Sequence, residues 1–212
     1  MLIFKERFSY KYKLQRLLTM KRLSIFFGLL MLVMASFARG YQVGDVVSDF
    51  RLPNLHGQRV SMADYPNAKG FVIIFSCNRC GIAVGFEDRK IALHEKFAPK
   101  GFPVIAINPD NPQTHLHLVD RARERGFPFH YLFDDRQVVL RRFGVTFRPH
   151  VFILERNRRD LRVAYMGALD NNYRDATLVT ERYVENAINA LLAGSRPDPE
   201  FTQPVGSAIR GR

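Results

Sequence analysis

Short, continuous apolar runs alternate with charged, amphipathic stretches along this chain. FVIIF, Phe71 to Phe75, is β-branched, aromatic and apolar throughout, which predicts a strand buried on both faces. FPVIAIN, from Phe102 to Asn108, predicts a second strand, and FHYLFDD, from Phe129 to Asp135, a third. Between the first two, Ile82, Phe86, Ile91 and Phe97 recur among charges from Arg79 to Phe97, as in an amphipathic helix, and Pro99-Lys100-Gly101 closes it. A charged helix ending in RARERG precedes the third strand, and a short helix over RQVVLRRFG follows it. PHVFILE and LRVAYMG, separated by the polar turn RNRRD, predict a hairpin. A last helix lies in VTERYVENAINALLAG, ahead of a polar tail over residues 196–212. Upstream, Pro53-Asn54 and His56-Gly57 supply turn chemistry for an N-terminal hairpin. Strands alternating with helices, then a hairpin and a helix, predict an α/β layer fold with a mixed sheet.

A chain of 212 residues, 47% hydrophobic and 25% charged, is enough for one ordinary core and excludes a largely disordered protein. The net charge of +12 resembles that of a nucleic-acid binder, but residues 1–38 alone carry +6 of it. No nucleic-acid partner is therefore expected, and RARER reads as an exposed helical face. The basic leader has the build of a signal peptide over residues 1–38. Met20-Lys21-Arg22 precedes the apolar run LSIFFGLLMLVM, and Ser36 and Ala38 form a small-x-small cleavage pattern. Met20 is a candidate true start. The run holds about 12 residues against the roughly 20 needed to span a bilayer. An uncleaved leader would be the one route to a membrane. The expectation is an exported protein, periplasmic or secreted, with one domain over residues 39–195.

Cys77 and Cys80 are the only cysteines. In an oxidising compartment they pair readily, yet a loop this small contributes little chain entropy, so a purely structural staple explains them poorly. A thiol between a buried strand and a helix lies near unpaired helical amides that stabilise a thiolate. A second thiol three residues on is close enough to attack a mixed disulfide formed on the first. Cys77 is thus the candidate attacking thiol, Cys80 the resolving thiol, and Arg79 between them favours the anionic form. Haem attachment would need His where Gly81 stands. A zinc ribbon would need a second cysteine pair, and His115 and His117 are only two apart. No metal or other cofactor is expected.

Gly44 to Tyr65, GDVVSDFRLPNLHGQRVSMADY, resembles the opening of the alkyl hydroperoxide reductase/thiol-specific antioxidant (AhpC/TSA, redoxin) branch of the thioredoxin-like superfamily. The resemblance continues through FVIIFSCNRC, FPVIAIN, FPFHYLFDD and FGVTFRPHVFIL, covering roughly Gly44 to Leu192. It implies a thioredoxin-like fold: a mixed central sheet flanked by helices, here with an N-terminal hairpin extension. It also implies a reactive cysteine at the start of the helix after its strand and a cis-proline facing it, for which Pro149 in GVTFRPH is the match. Arg148 beside it lies over the cysteines or on the surface. Ser76 stands where thioredoxins carry Trp, and Asn78-Arg79 where they often carry Gly-Pro. The peroxiredoxin pattern Pro-x-x-x-Thr/Ser-x-x-Cys fits in neither register. From Cys80 it meets Cys77 and Ile73, and from Cys77 it meets Ile74 and Gly70. Ser207 in GSAIR occupies the place of a cysteine that some relatives carry in Gly-Cys-x-Ile-Lys.

The leading expectation is an exported thiol–disulfide oxidoreductase acting on protein or small thiol substrates, with Cys77 and Cys80 catalytic and Ser76, Arg79, Arg148 and Pro149 in support. Its partner would be a redox protein that donates or accepts electrons. One alternative is a redoxin-type thiol peroxidase with an antioxidant role. A further one is a thioredoxin-fold copper-binding assembly factor without catalysis, using both thiolates and His150. Glu87 and Asp88 read as solvated helix positions.

Overall fold

In the computed structural model, which describes residues 39–110 and 115–209, the apolar runs become the strands of one mixed sheet. The leader, with Met20, Ser36 and Ala38, lies outside the described residues. In chain order the elements are β1 (Arg51–Pro53), β2 (Arg59–Ser61), β3 (Gly70–Phe75), α1 (Gly81–Gly85), α2 (Glu87–Phe97), β4 (Val104–Asn108) and α3 (His115–Arg125). They continue with β5 (His130–Phe133), α4 (Val138–Phe143), β6 (Phe147–Arg148), β7 (His150–Asn157), β8 (Asp160–Gly167), α5 (Tyr183–Leu192) and β9 (Ser207–Ala208). The central sheet has the order β5-β4-β3-β7-β8; β3, β4 and β5 are parallel, while β7 and then β8 run antiparallel to their neighbours. β1 and β2 form the expected N-terminal hairpin. Among the described residues no helix is long and apolar enough to cross a membrane.

Side chains of β3 alternate between two cores, because successive residues of a strand face opposite ways. Phe71, Ile73 and Phe75 enter the core shared with α4 and the hairpin side, where Val139, Leu140, Phe143, Phe50 and Val60 meet them. Val72 and Ile74 enter the other, with Leu93 and Phe97 of α2, Leu118 of α3 and Val184 and Ile188 of α5. This double burial is what the unbroken FVIIF run predicted.

Two features depart from the sequence reading. The single helix expected over Arg79 to Phe97 is broken at Phe86, where the backbone leaves helical geometry at φ −93°, ψ 1°. Gly81 and Gly85 in the first piece are poor helix formers, so nothing local resists the break. The polar tail also returns to the domain. The Met166 amide donates to the Glu200 carbonyl at 3.1 Å, the Thr202 amide to the Met166 carbonyl at 3.1 Å, and β9 pairs antiparallel with β6. Polar composition did not reveal this, since the pairing uses backbone groups.

An aromatic trio anchors the sheet below the cysteine end: Phe143 lies 5.2 Å from Phe75 and 4.9 Å from Phe152 between ring centroids. Phe143→Ala should lower unfolding free energy by about 3–5 kcal/mol, read from urea denaturation, because the surrounding strands cannot collapse into the void.

Candidate active site

β3 delivers the cysteine loop. Phe75 pairs with His150 of the antiparallel β7, and the Ser76 amide donates to the Ile107 carbonyl of β4 at 2.9 Å. The chain leaving β3 at Ser76 and Cys77 therefore emerges beside Arg148 and Pro149, which lead into β7. Cys77 and Cys80 are joined in a disulfide, Cα to Cα 5.8 Å. The Arg148–Pro149 peptide is cis, as the family resemblance implied.

Some placements differ from expectation. Cys77 does not itself cap the helix; the N-cap is Cys80, whose carbonyl accepts from the Val84 amide at 3.0 Å. The helical amides thus start closer to Cys80 than to Cys77. Cys77 is only 1% exposed, whereas Cys80 is half-buried and Arg79 exposed. Arg148 does not lie free over the cysteines, since its guanidinium pairs with Asp110 in the loop after β4. Cys77 and Cys80 are joined to each other, and among the described residues no group of three or more His, Cys, Asp or Glu side chains is gathered that could hold a metal ion.

The residues that sequence reasoning missed lie beneath the loop. Lys90 is 1% exposed and donates from Nζ to Ser76 Oγ at 3.1 Å and to the Ala83 carbonyl at 3.2 Å. Burial lowers its pKa to about 8, with Glu87 opposing the shift and Arg121 adding to it. Glu87 is not a solvated helix position: it is 3% exposed and accepts from Arg121 Nε and Nη2, both at 2.7 Å, with Arg125 Nε at 3.3 Å. Arg121 and Arg125 belong to the RARER run, so part of that face turns inward. Asp88 is exposed as expected, paired with Arg125. Tyr131 of β5 is buried with its hydroxyl turned towards Ser76 but outside hydrogen-bond geometry. One signal in the sequence could have found Lys90. Phe86, Lys90, Leu93 and Phe97 share one helical face by spacing, and three of the four are apolar.

His150 sits at the start of β7, 4% exposed, with its ring 4.5 Å from that of Phe152 and, among the described residues, no hydrogen-bond partner for either nitrogen. Burial pushes its pKa down from 6.5 to about 4. The unfolded chain then takes up this proton first, so the stability His150 confers is whole above pH 6.5 and is lost as the pH falls towards 4. The loss should approach about 3 kcal/mol. Comparing urea midpoints at neutral and acid pH, His150→Phe should show a smaller acid loss than the wild type by that margin.

Comparison with known proteins agrees with this architecture. The model of the AhpC/TSA family matches residues 43–163. The thiol-disulfide oxidoreductase ResA of Geobacillus thermodenitrificans is 27% identical over 119 residues, 54% of this chain and 64% of ResA. Peroxiredoxin bcp1 of Schizosaccharomyces pombe is 26% identical over 110 residues, 49% of this chain and 52% of the relative. The matches thus span between half and two thirds of those relatives. The crystal structure of a conserved protein from Geobacillus kaustophilus superposes with a TM-score of 0.71 at 29% identity, covering 81% of this chain and 93% of the other. The fold is thioredoxin-like, with a mixed five-stranded sheet flanked by helices.

Proposed function

This chain belongs to the AhpC/TSA family, and from that premise we propose that it is an exported thiol–disulfide oxidoreductase exchanging the Cys77–Cys80 disulfide with thiol or disulfide substrates. The observation that carries the reading is that disulfide, set at the end of the central strand with the cis Arg148–Pro149 peptide at the start of the neighbouring strand. In the reducing direction the Cys77 thiolate attacks one sulfur of a substrate disulfide, and the other substrate sulfur leaves as a thiolate. The Cys80 thiolate then attacks Cys77 Sγ in the mixed disulfide and releases the second substrate thiolate. Two electrons pass to the substrate, the protein ends in the oxidised form, and a redox protein partner returns the electrons. The oxidising direction is the same sequence reversed.

Ser76 supports the pair by holding its loop to β4, and Arg79 by placing a positive charge on the exposed side of that loop. Arg148 and Pro149 support it by shaping the opposite wall. Export rests on the leader over residues 1–38, and an oxidising compartment suits a pair found as a disulfide. Likeness to a peroxiredoxin supports a second reading, thiol peroxidase. It requires the reduced pair to react with hydrogen peroxide much faster than free cysteine does.

Turnover of a small test disulfide by the reduced protein should fall by about 10³-fold or more in Cys77→Ser. Cys80→Ser should accumulate a mixed disulfide at Cys77, seen by mass spectrometry. Wild-type exchange no faster than that of the double serine variant would sink the oxidoreductase reading. Fast stopped-flow oxidation by peroxide in that same protein would favour the peroxidase.

A further inference from the structure

Lys90 occupies a position where a lysine costs stability. It shares the buried face of α2 with Leu93 and Phe97, and its ammonium has two neutral acceptors for three donors among the described residues. Those acceptors bracket the redox loop: Ser76 immediately precedes Cys77, and Ala83 lies three residues beyond Cys80. Other charged and titratable groups around it are committed elsewhere. Glu87, on the same helix, is bound by Arg121 and Arg125 from α3. Beyond Tyr131 of β5, Asp110 and Arg148 are paired with each other. Among the described residues no carboxylate is hydrogen-bonded to the lysine.

We infer that Lys90 is a positioning residue for the redox pair, fixing both ends of the loop and stabilising with its buried charge the thiolate released when the Cys77–Cys80 bond opens. The inference rests on the exchange reading above. When two substrate thiols reduce the pair, the first attack breaks the protein disulfide and leaves its electron pair on one cysteine as a thiolate. The second attack forms the substrate disulfide and frees the other cysteine, and the two substrate protons end on the two cysteines. Lys90 keeps its own proton and serves as counter-charge to the transient anion. A group with a pKa of about 8 is largely cationic at neutral pH, as this role requires.

The test is the pH profile of cysteine alkylation by iodoacetamide in the reduced protein. Lys90→Gln retains a donor for Ser76 and Ala83 but lacks the charge, and Lys90→Met lacks both. Each should move the profile of the more reactive thiol upward by about one pH unit or more. Lys90→Met should also raise the urea midpoint, since it relieves a buried charge. A Lys90→Gln profile that coincides with the wild type overturns the inference. If the wild type fails to exchange with a test disulfide, the function is wrong, yet the alkylation profile still decides the role of Lys90.

The C-terminal segment carries an independent inference. β9 holds the edge of β6, with Ser207 opposite Arg148, the Ile209 amide donating to the Thr146 carbonyl at 2.8 Å, and Gly206 pressed against the Arg148 carbonyl. Thr202 Oγ1 lies 2.6 Å from the Tyr165 hydroxyl and accepts from the Ala168 amide at 3.0 Å. An extended polypeptide docks by adding a strand to a free edge, and this one, beside Pro149 and the buried Cys77, is already filled. We infer that residues 200–209 act as a strap that keeps extended polypeptide substrates from pairing with this edge, leaving small thiols and disulfides as the substrates of the exchange proposed above. A Cβ on Gly206 would stand 2.2 Å from the Arg148 carbonyl oxygen, so Gly206→Val should dislodge β9. In that variant, and in a protein lacking residues 205–212, reduced Cys77 should react several-fold faster with a polymer-linked maleimide, while labelling by iodoacetamide changes little. Equal labelling by the bulky reagent in all three proteins overturns the strap, whether or not the pair exchanges with any disulfide.

Discussion

The double confinement of β3 governs the rest of the molecule. Its two edges are satisfied by β4 and β7, and its side chains fill two separate cores. A slip of one residue would exchange Phe71, Ile73 and Phe75 with Val72 and Ile74, so the register has no near alternative. The strand therefore ends at one defined place, and Ser76 and Cys77 emerge there between the end of β4 and the start of β7. Because β7 runs antiparallel, its beginning arrives at that same end, bringing Arg148, Pro149 and His150 beside residues some seventy positions earlier. The carboxyl ends of central strands are where α/β folds gather their chemistry.

Buried polar chemistry is concentrated under that end and is unevenly compensated. Glu87 receives Arg121 and Arg125, two of the three arginines of α3, and is well satisfied. Among the described residues Lys90 is hydrogen-bonded only to neutral oxygens, and His150 has no hydrogen-bond partner and its pKa is lowered by burial. An aliphatic residue at position 90 would suit Phe86, Leu93 and Phe97 better. A buried lysine beside a cysteine pair is the arrangement expected where burial tunes titration. The departures of the loop from both the thioredoxin and the peroxiredoxin patterns belong to the same picture. Ser76 in place of a bulky aromatic leaves a hydroxyl for Lys90 to hold.

The strands, most helices and the cysteine pair were legible because their signals are local. A continuous apolar run can only be a doubly buried element, and the spacing of Cys77 and Cys80 is a property of neighbours. The family pattern added the cis Arg148–Pro149 peptide, which no local rule requires. The break at Phe86 was weakly encoded by Gly81 and Gly85. The inward turn of Lys90 and Glu87 was hidden by the ordinary rule that charges on a helix face water.

By itself, the sequence determined the order of elements, which faces are apolar and where the two thiols stand in the chain, since burial periodicity and covalent spacing need no partner. Tertiary structure alone decided which long-range partners each polar group met. It gave Arg148 to Asp110, Glu87 to Arg121 and Arg125, Lys90 to Ser76, and the edge of β6 to β9. Hydrogen bonds and ion pairs are short-ranged and have many candidate partners. The packing of distant elements therefore selects among them, and residue type does not.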